Sequence, residues 1–523
     1  MPGMLLHDVV ALVAADDPSG VALVTPDGAS VTWADLRAVV ASVARQVTAM
    51  VPAGGRVAAV GSNHLAWVGL YYGVPAAGRV LVLLNHRLAP AELADQVARS
   101  GATVVFGAPD QLERLADAGV DPATLHDWQQ LCDVAAAPVA APVDAAPVDA
   151  APAEVSADDP AWLLFTSGTT GAPKGAVLTH ASILAAVAAS AGARPVDPDD
   201  VYLFAFPLCH VAGYNVVHRH AHRRPVVLME GFEPVGFCRM AAEHGVTSCS
   251  LAATMLAALC DHLDAVPTDV AKLATLRVIA YGAAPMPVTL LRRAHDLLGV
   301  DFTQGYGMTE LSGNAVFLDA AAHRRGLAGD DALLTAAGHP APGVQLRIVD
   351  GDTGVEMPAG SVGEITVRAD QVMAGYWNDP ATTAATVRDG WLYTGDVGMV
   401  DDDGLLRVMD RSKDVIITGG ENVASPEVEQ AVSAAPAVAA VAVVGVPDPR
   451  WGENVCAVVV ARPGMTVDAD EVVATVRQRL AGFKVPRHVV VVDELPTNAS
   501  GKVVKAELRA WLADNPDVVG PRR

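Results

Sequence analysis

Leu164-Phe-Thr-Ser-Gly-Thr-Thr-Gly-Ala-Pro-Lys-Gly-Ala-Val-Leu-Thr-His180 decides how this chain is read. The apolar residues Trp162 to Phe165 predict a strand, and the hydroxyls, glycines and lysine after them predict a loop that wraps phosphate oxygens. Glycines such as Gly168 let backbone N–H groups approach an anion closely. The hydroxyls of Thr166, Ser167, Thr169 and Thr170 add donors, and Lys174 adds a positive charge. The stretch is not the nucleotide loop whose lysine is followed by serine or threonine, because Gly175 follows Lys174.

On either side, helix-like and strand-like segments alternate. Ser30 to Met50 has helical spacing, Arg56 to Val60 reads as a buried strand, Leu65 to Gly78 as an apolar helix, and Val80 to Leu84 as the next strand. This order predicts an α/β fold with mainly parallel sheets covered by helices. Ala135 to Pro160, with its AAPVDAAPVDAAP repeat, reads as a linker or exposed loop. The α/β pattern resumes from Ala161 to about Met409, with strands near Val226 to Leu228, Leu276 to Ala280 and Val344 to Val349. After Asp410 come a glycine-rich turn and a helix near Pro426 to Ala434. The strands Val438 to Val444 and Val455 to Val460, a helix from Ala469 to Leu480 and the strand His488 to Val492 complete that region. The expectation is a large N-terminal domain, residues 1–410, and a small α+β C-terminal domain, residues 411–523.

With 523 residues, 51% hydrophobic and 18% charged, the chain is long and apolar enough for at least two packed cores. Its net charge of −23 argues against nucleic acid or an anionic membrane as partner. Any anionic ligand therefore needs a local cationic site. The cysteines at 132, 209, 238, 249, 260 and 456 form no CxxC pair, which predicts reduced thiols rather than a disulfide framework or a zinc site. The N-terminus lacks a signal-peptide pattern. Gly73, Pro75, Gly78 and Arg79 break the apolar run from Leu65 to Leu84, which rules against a membrane segment. A soluble, cytoplasmic protein is expected.

Five further strings carry chemistry-bearing residues in order: Pro207-Leu-Cys-His-Val-Ala-Gly213, Tyr281-Gly-Ala-Ala-Pro-Met286, Gln304-Gly-Tyr-Gly-Met-Thr-Glu310, Trp391-Leu-Tyr-Thr-Gly-Asp396 and Pro496-Thr-Asn-Ala-Ser-Gly-Lys502. A sixth, Asp410-Arg-Ser-Lys-Asp-Val-Ile-Ile-Thr-Gly-Gly-Glu-Asn422, stands at the expected domain boundary. A carboxylate after a glycine-containing loop suits Mg²⁺ (Glu310), and one at the close of a turn suits the two hydroxyls of a ribose (Asp396). With Thr166 to Gly175, the set resembles the adenylate-forming superfamily of acyl-CoA synthetases, aryl-CoA ligases, firefly luciferase and peptide-synthetase adenylation domains, over nearly the whole chain from Thr32 to about Leu508.

The resemblance implies a mobile C-terminal domain, ATP, Mg²⁺ and CoA as cofactors, and a role for each motif. Glu310 becomes the metal ligand, Thr309 faces the α-phosphate, and Tyr306 lies on one face of adenine with Ala283, Ala284 and Pro285 on the other. Asp396 and Arg411 take the ribose and phosphates, Lys413 acts as hinge, and Gly419 and Gly420 let a pantetheine arm run along the backbone. Lys502 becomes the catalytic lysine, and His210 gates the acyl tunnel or positions the carboxylate. Cys209 stands where the family commonly has an aromatic residue. Arg87 and Trp451 are weaker candidates for touching CoA. The implied activity is ATP-dependent acid–thiol ligation through an acyl-adenylate. The small residues Ala252, Ala253 and Gly313 favour a tunnel that admits a fatty or alicyclic chain; a fatty acid is expected first, with aromatic or alicyclic acids as alternatives. An acyl carrier protein as thiol acceptor, an oxygen or nitrogen trap for the adenylate, and a non-catalytic nucleotide sensor are the rival readings. A homodimer is left open.

Overall fold

In the strand Arg56–Val60, Val57 and Ala59 face one core while Ala58 and Val60 face another, and this alternation builds the molecule in layers. The computed structural model describes residues 3–132, 155–166, 173–282, 286–351, 353–411, 413–418, 421–448, 450–498 and 502–519.

One sheet of seven strands runs in the order Gly375–Tyr376, Lys174–Thr179, Pro160–Thr166, Val80–Leu84, Arg56–Val60, Val104–Gly107 and Leu125–Asp127. Its last five strands are parallel, and the hairpin carrying the opening motif is antiparallel. A second sheet of nine strands has a parallel centre that includes Tyr202–Phe204, Val226–Leu228, Val278–Gly282 and Asp301–Met308. The helices Trp33–Met50, Leu65–Ala76, His180–Ala193 and Tyr214–Ala221 fill the space between the sheets. They share one core with Leu81, Trp162, Tyr202 and Val226. Pro90–Ser100 and Pro109–Asp117 cover the outer face of the smaller sheet. Pro234–His244, Ala253–Ala265 and Val288–Leu298 cover that of the larger one.

Leu65–Ala76 is apolar on every side because protein surrounds it. No helix among the described residues is long and apolar enough to cross a membrane. The helix expected from Ser30 begins three residues later. Thr32 caps it through reciprocal 3.1 Å bonds with Asp35, and Ser30–Thr32 pairs instead with Val21–Val24.

Two smaller sheets complete the chain. Gln345–Val349, Gly363–Arg368, Trp391–Val400, Val387–Arg388 and Leu406–Arg411 form an antiparallel sheet of five. Between Arg411 and Ile416 the chain enters the last sheet, built on Val438–Asp448 and Gly452–Ala461, with His488–Val492 parallel to the latter. Val455, Ala457 and Val459 face the helices Ser425–Val432 and Ala469–Arg477, while Cys456 and Val458 face Lys505–Asp514.

Candidate active site

Asp396 does not close a turn, as its motif suggested; it lies within the strand Trp391–Val400. Gly395 has φ +72°, and the register against Gly363–Arg368 slips beside it. Such a bulge re-aims the next side chain, and a positive φ favours glycine there. The carboxylate so placed is 6% exposed. Arg411, directly across the antiparallel ladder, brings its Nε to 2.6 Å, and the Tyr306 hydroxyl donates at 2.7 Å. Burial pushes the Asp396 carboxyl up, while Arg411, Tyr306 and Lys502 pull it back. The Tyr306 hydroxyl is held neutral by burial and then by the Asp396 charge. Tyr306 thus offers more than a ring face: its hydroxyl fixes the acid.

Thr309 and Glu310 occupy the short turn Thr309–Leu311 after the strand Asp301–Met308. Glu310 is buried and accepts a 2.8 Å bond from the Tyr376 hydroxyl. Tyr376 pairs with the Lys174–Thr179 strand, and the Lys174 ammonium lies 5.4 Å from its ring centroid. Lys174 also lines a pocket of about 310 Å³ with Arg99, Phe165 and Trp377. Thr166 donates to the Lys174 carbonyl at 3.3 Å, joining the ends of the hairpin. Ser167, Gly168, Thr169 and Thr170 between them lie outside the described residues, as do Ala283, Ala284, Pro285, Gly419 and Gly420. At Gly282, a Cβ would stand 2.3 Å from the Gly305 carbonyl, so only glycine lets these two strand ends approach so closely.

Lys502 comes from the far end of the chain. Asn498 holds it on a small hairpin, accepting its N–H at 3.0 Å and donating to its carbonyl at 2.8 Å. The residue is exposed, yet protein crowds its ammonium. Burial and the neighbouring Arg411 lower its pKa, while Asp396 and Glu310 oppose them. His210 stands at the start of the turn Val211–Gly213, on a loop fixed by Asn63 through bonds of 2.7–2.8 Å to Phe206, Leu208 and Met229. Its Nε2 is buried without a hydrogen-bond partner, and burial with the charges of Arg87 and Lys502 pushes its pKa down to about 4. His210 is therefore a neutral imidazole at pH 7. Cys209 is packed in the core, its thiol pushed up to about 12 by burial, and offers no nucleophile.

Arg87 is exposed and reaches this group only through its charge. Trp451 is tied at its backbone N–H to Asp448, 2.9 Å away. Lys413 lies in an exposed turn whose neighbours are clasped to the small unit. Ser425 donates to Asp410 at 2.5 Å, and Arg509 meets Asp414 at 2.8 Å.

Two carboxylates, two basic side chains and a neutral imidazole therefore come together here. The Glu310 carboxylate is a hard oxygen donor, as Mg²⁺ requires, and the buried thiol of Cys209 offers no competing soft ligand. Tyr376 and Asn498 escaped sequence reading. Tyr376 reaches Glu310 only through a two-residue strand, and Asn498 acts through its own short loop.

The AMP-binding enzyme model matches residues 10–377, and that of the AMP-binding enzyme C-terminal domain matches residues 427–502. The chain is 38% identical over 487 residues to a feruloyl-CoA synthase from an Amycolatopsis species, covering 92% of this chain and 94% of that one. It is 34% identical to the fatty acid–[acyl-carrier-protein] ligase ScoC of Streptomyces coeruleorubidus, covering 87% and 86%. The structure of the amide bond synthetase McbA from Marinactinospora thermotolerans superposes with a TM-score of 0.83 at 33% identity, covering 97% and 99%.

Proposed function

Because the chain belongs to the AMP-binding enzyme family and is an AMP-forming acid–thiol ligase, we propose that Lys502 is the central catalytic charge of its first half-reaction. The observation that carries this reading is the meeting of Lys502 with Arg411, Asp396 and Glu310 in one cleft. A carboxylate oxygen of the acid attacks the α-phosphorus of ATP, and the bond to pyrophosphate breaks. The nucleophile is weak and the phosphates repel it, so catalysis comes mainly from positioning and charge. Asp396, fixed by Arg411 and Tyr306, accepts the ribose hydroxyls. Lys502 bridges the incoming carboxylate and the α-phosphate, with Thr309 beside it, and Lys174 holds the departing pyrophosphate. Glu310, oriented by Tyr376, would hold Mg²⁺, which when bound supplies charge to the phosphates. Neutral His210 turns its unpartnered nitrogen to the acid. In the second half-reaction the thiolate of CoA attacks the acyl carbon and AMP leaves. We divide the chain for this purpose at Asp410 and Arg411, with Lys413 as the hinge.

Among acids, the site favours a compact aromatic one over the long alkyl chain expected first. Phe206, Val211 and Ala212 on the His210 loop, and Met308 beside Thr309, are partly buried against the core between the sheets. Behind them Tyr71, Trp162, Val216 and Val217 have no accessible surface, so no water-sized space adjoins them. Gly213 sits so close to Tyr71 that a Cβ would fall 2.0 Å from its hydroxyl. A ferulate-like acid is the first substrate to test, in line with the feruloyl-CoA synthase relative. A carrier-protein thiol is the second acceptor to test, as the ScoC relative suggests. Pyrophosphate release from hydroxycinnamic, benzoic and long-chain acids, followed by mass spectrometry of the product with CoA or a holo-carrier protein, tests both points. Aromatic acids are expected to turn over fastest and to yield the CoA thioester. Preference for long-chain acids would reverse the substrate reading. No pyrophosphate from any acid would contradict the adenylation chemistry.

A further inference from the structure

Cys238, His262 and Asp269 take no part in the site above, and sequence spacing gives no hint that they meet. Cys238 comes from the helix Pro234–His244, His262 from Ala253–Ala265 and Asp269 from the turn Pro267–Leu273. These elements lie in the outer layer over the nine-stranded sheet, on the face away from the core between the sheets. One donor atom from each residue lies within 4.8 Å of the other two. Cys238 has no accessible surface and Asp269 is also buried. The His262 Nε2 is 2.9 Å from an Asp269 oxygen, and the Lys272 ammonium lies 2.8 Å from the other.

A thiol, an imidazole and a carboxylate that converge from separate elements form a ligand set of sulfur, nitrogen and oxygen. That set suits Zn²⁺ and does not suit Mg²⁺ or Ca²⁺, which take oxygen. Bond lengths of about 2.0–2.3 Å around a tetrahedral ion place the ligand atoms roughly 3.3–3.8 Å apart. The His262–Asp269 pair needs to open by a few tenths of an ångström, and any wider separation within the 4.8 Å limit needs to close. Charge balances as well. The thiolate and carboxylate together neutralise a dication, and the thiol proton leaves to solvent. The Lys272 ammonium, on a side chain 42% exposed, pairs with Asp269 and has room to swing outward.

We propose that Cys238, His262 and Asp269 form a site for one Zn²⁺ ion that clips together the two helices and the turn over the outer face of the nine-stranded sheet. Water completes the tetrahedron, and the ion lies apart from the acid-activating cleft, which is built from other elements.

The full-length protein, stripped with a chelator and titrated with Zn²⁺ against a chromogenic chelator, tests this directly. One ion per chain at submicromolar affinity is expected, with a rise in unfolding temperature. Cys238→Ser and His262→Gln are expected to weaken binding at least 100-fold, whereas Cys456→Ser, a buried cysteine elsewhere, leaves it unchanged. Lys272→Ala removes the competing ammonium without touching the core, and is expected to tighten binding several-fold. With Co²⁺ as probe, a thiolate-to-cobalt absorption band is expected in the parent protein and absent in Cys238→Ser. Binding that survives Cys238→Ser, that is not tightened by Lys272→Ala, or that never reaches one ion per chain overturns the proposal.

Discussion

Asp396 shows how much one side chain depends on its setting. The string Trp391 to Asp396 made the carboxylate legible as a ribose acceptor, but a string of letters does not reveal a bulge inside a strand. It is Gly395, with its positive φ, that turns the acid towards Tyr306 and Arg411. Hydrogen bonds to charged groups contribute about 1.5–3 kcal/mol each. Asp396→Asn keeps the shape but loses the charge, so the KM for ATP is expected to rise about 10- to 100-fold. Pyrophosphate-release kinetics against ATP concentration measure it, and an unchanged KM would remove Asp396 from nucleotide binding. Tyr376 was invisible at this scale for a different reason. Its partner Glu310 lies far away in sequence, and only pairing with the Lys174 strand brings the two together.

Among the elements, three strands were read to the residue: Arg56–Val60, Val80–Leu84 and His488–Val492. The expected strands Val438 to Val444 and Val455 to Val460 instead extend to Val438–Asp448 and Gly452–Ala461, because their hairpin pairing continues past the apolar run. Boundaries set by a side chain were read less well. Thr32 stops the helix at Trp33 because its hydroxyl and Asp35 satisfy each other's backbone donors, leaving Ser30 and Val31 to a strand. The turn after Leu406–Arg411 carries the hinge proposed above. Asp414 and Val415 both donate to the Arg411 carbonyl, at 2.8 and 3.1 Å, which leaves Lys413 exposed at the bend. Proline fixes φ near −65°, so Lys413→Pro restricts rotation at the point where the small unit would swing. Thioester formation from supplied acyl-adenylate is expected to fall at least tenfold, with adenylate formation much less affected. Unchanged rates in both half-reactions would take the hinge away from Lys413.

At the scale of the molecule, the layered core stores histidines that must stay neutral. His180 accepts the Leu6 N–H at 3.1 Å, and His220 is held between Tyr72 and the Ala22 carbonyl. Burial lowers their pKa values from 6.5 to about 4 and about 3. The unfolded chain therefore binds protons that the folded one refuses. Stability from these groups is complete above pH 6.5 and is lost as the pH falls towards 4. Each contributes a slope of about 1.4 kcal/mol per pH unit within that window. Urea unfolding midpoints are expected to drop steadily between pH 6.5 and 4.5, and a flat profile would contradict the neutral burial of these rings. Composition announced a large, well-packed chain of net charge −23, but it held no trace of which histidines the layers enclose.

The C-terminal unit brings the charge of Lys502 to groups assembled from the turn Thr309–Leu311 and the strands Trp391–Val400 and Leu406–Arg411. The motif order implied this meeting; the structure supplies its neighbours. The most direct test separates the two half-reactions of Lys502→Ala in the presence of ATP, Mg²⁺ and an accepted acid. Adenylate formation is expected to fall by about 100-fold or more, as loss of a charge aimed at the developing transition state does, while supplied acyl-adenylate is still converted to its CoA thioester. Equal loss in both half-reactions, or none in the first, would contradict the account.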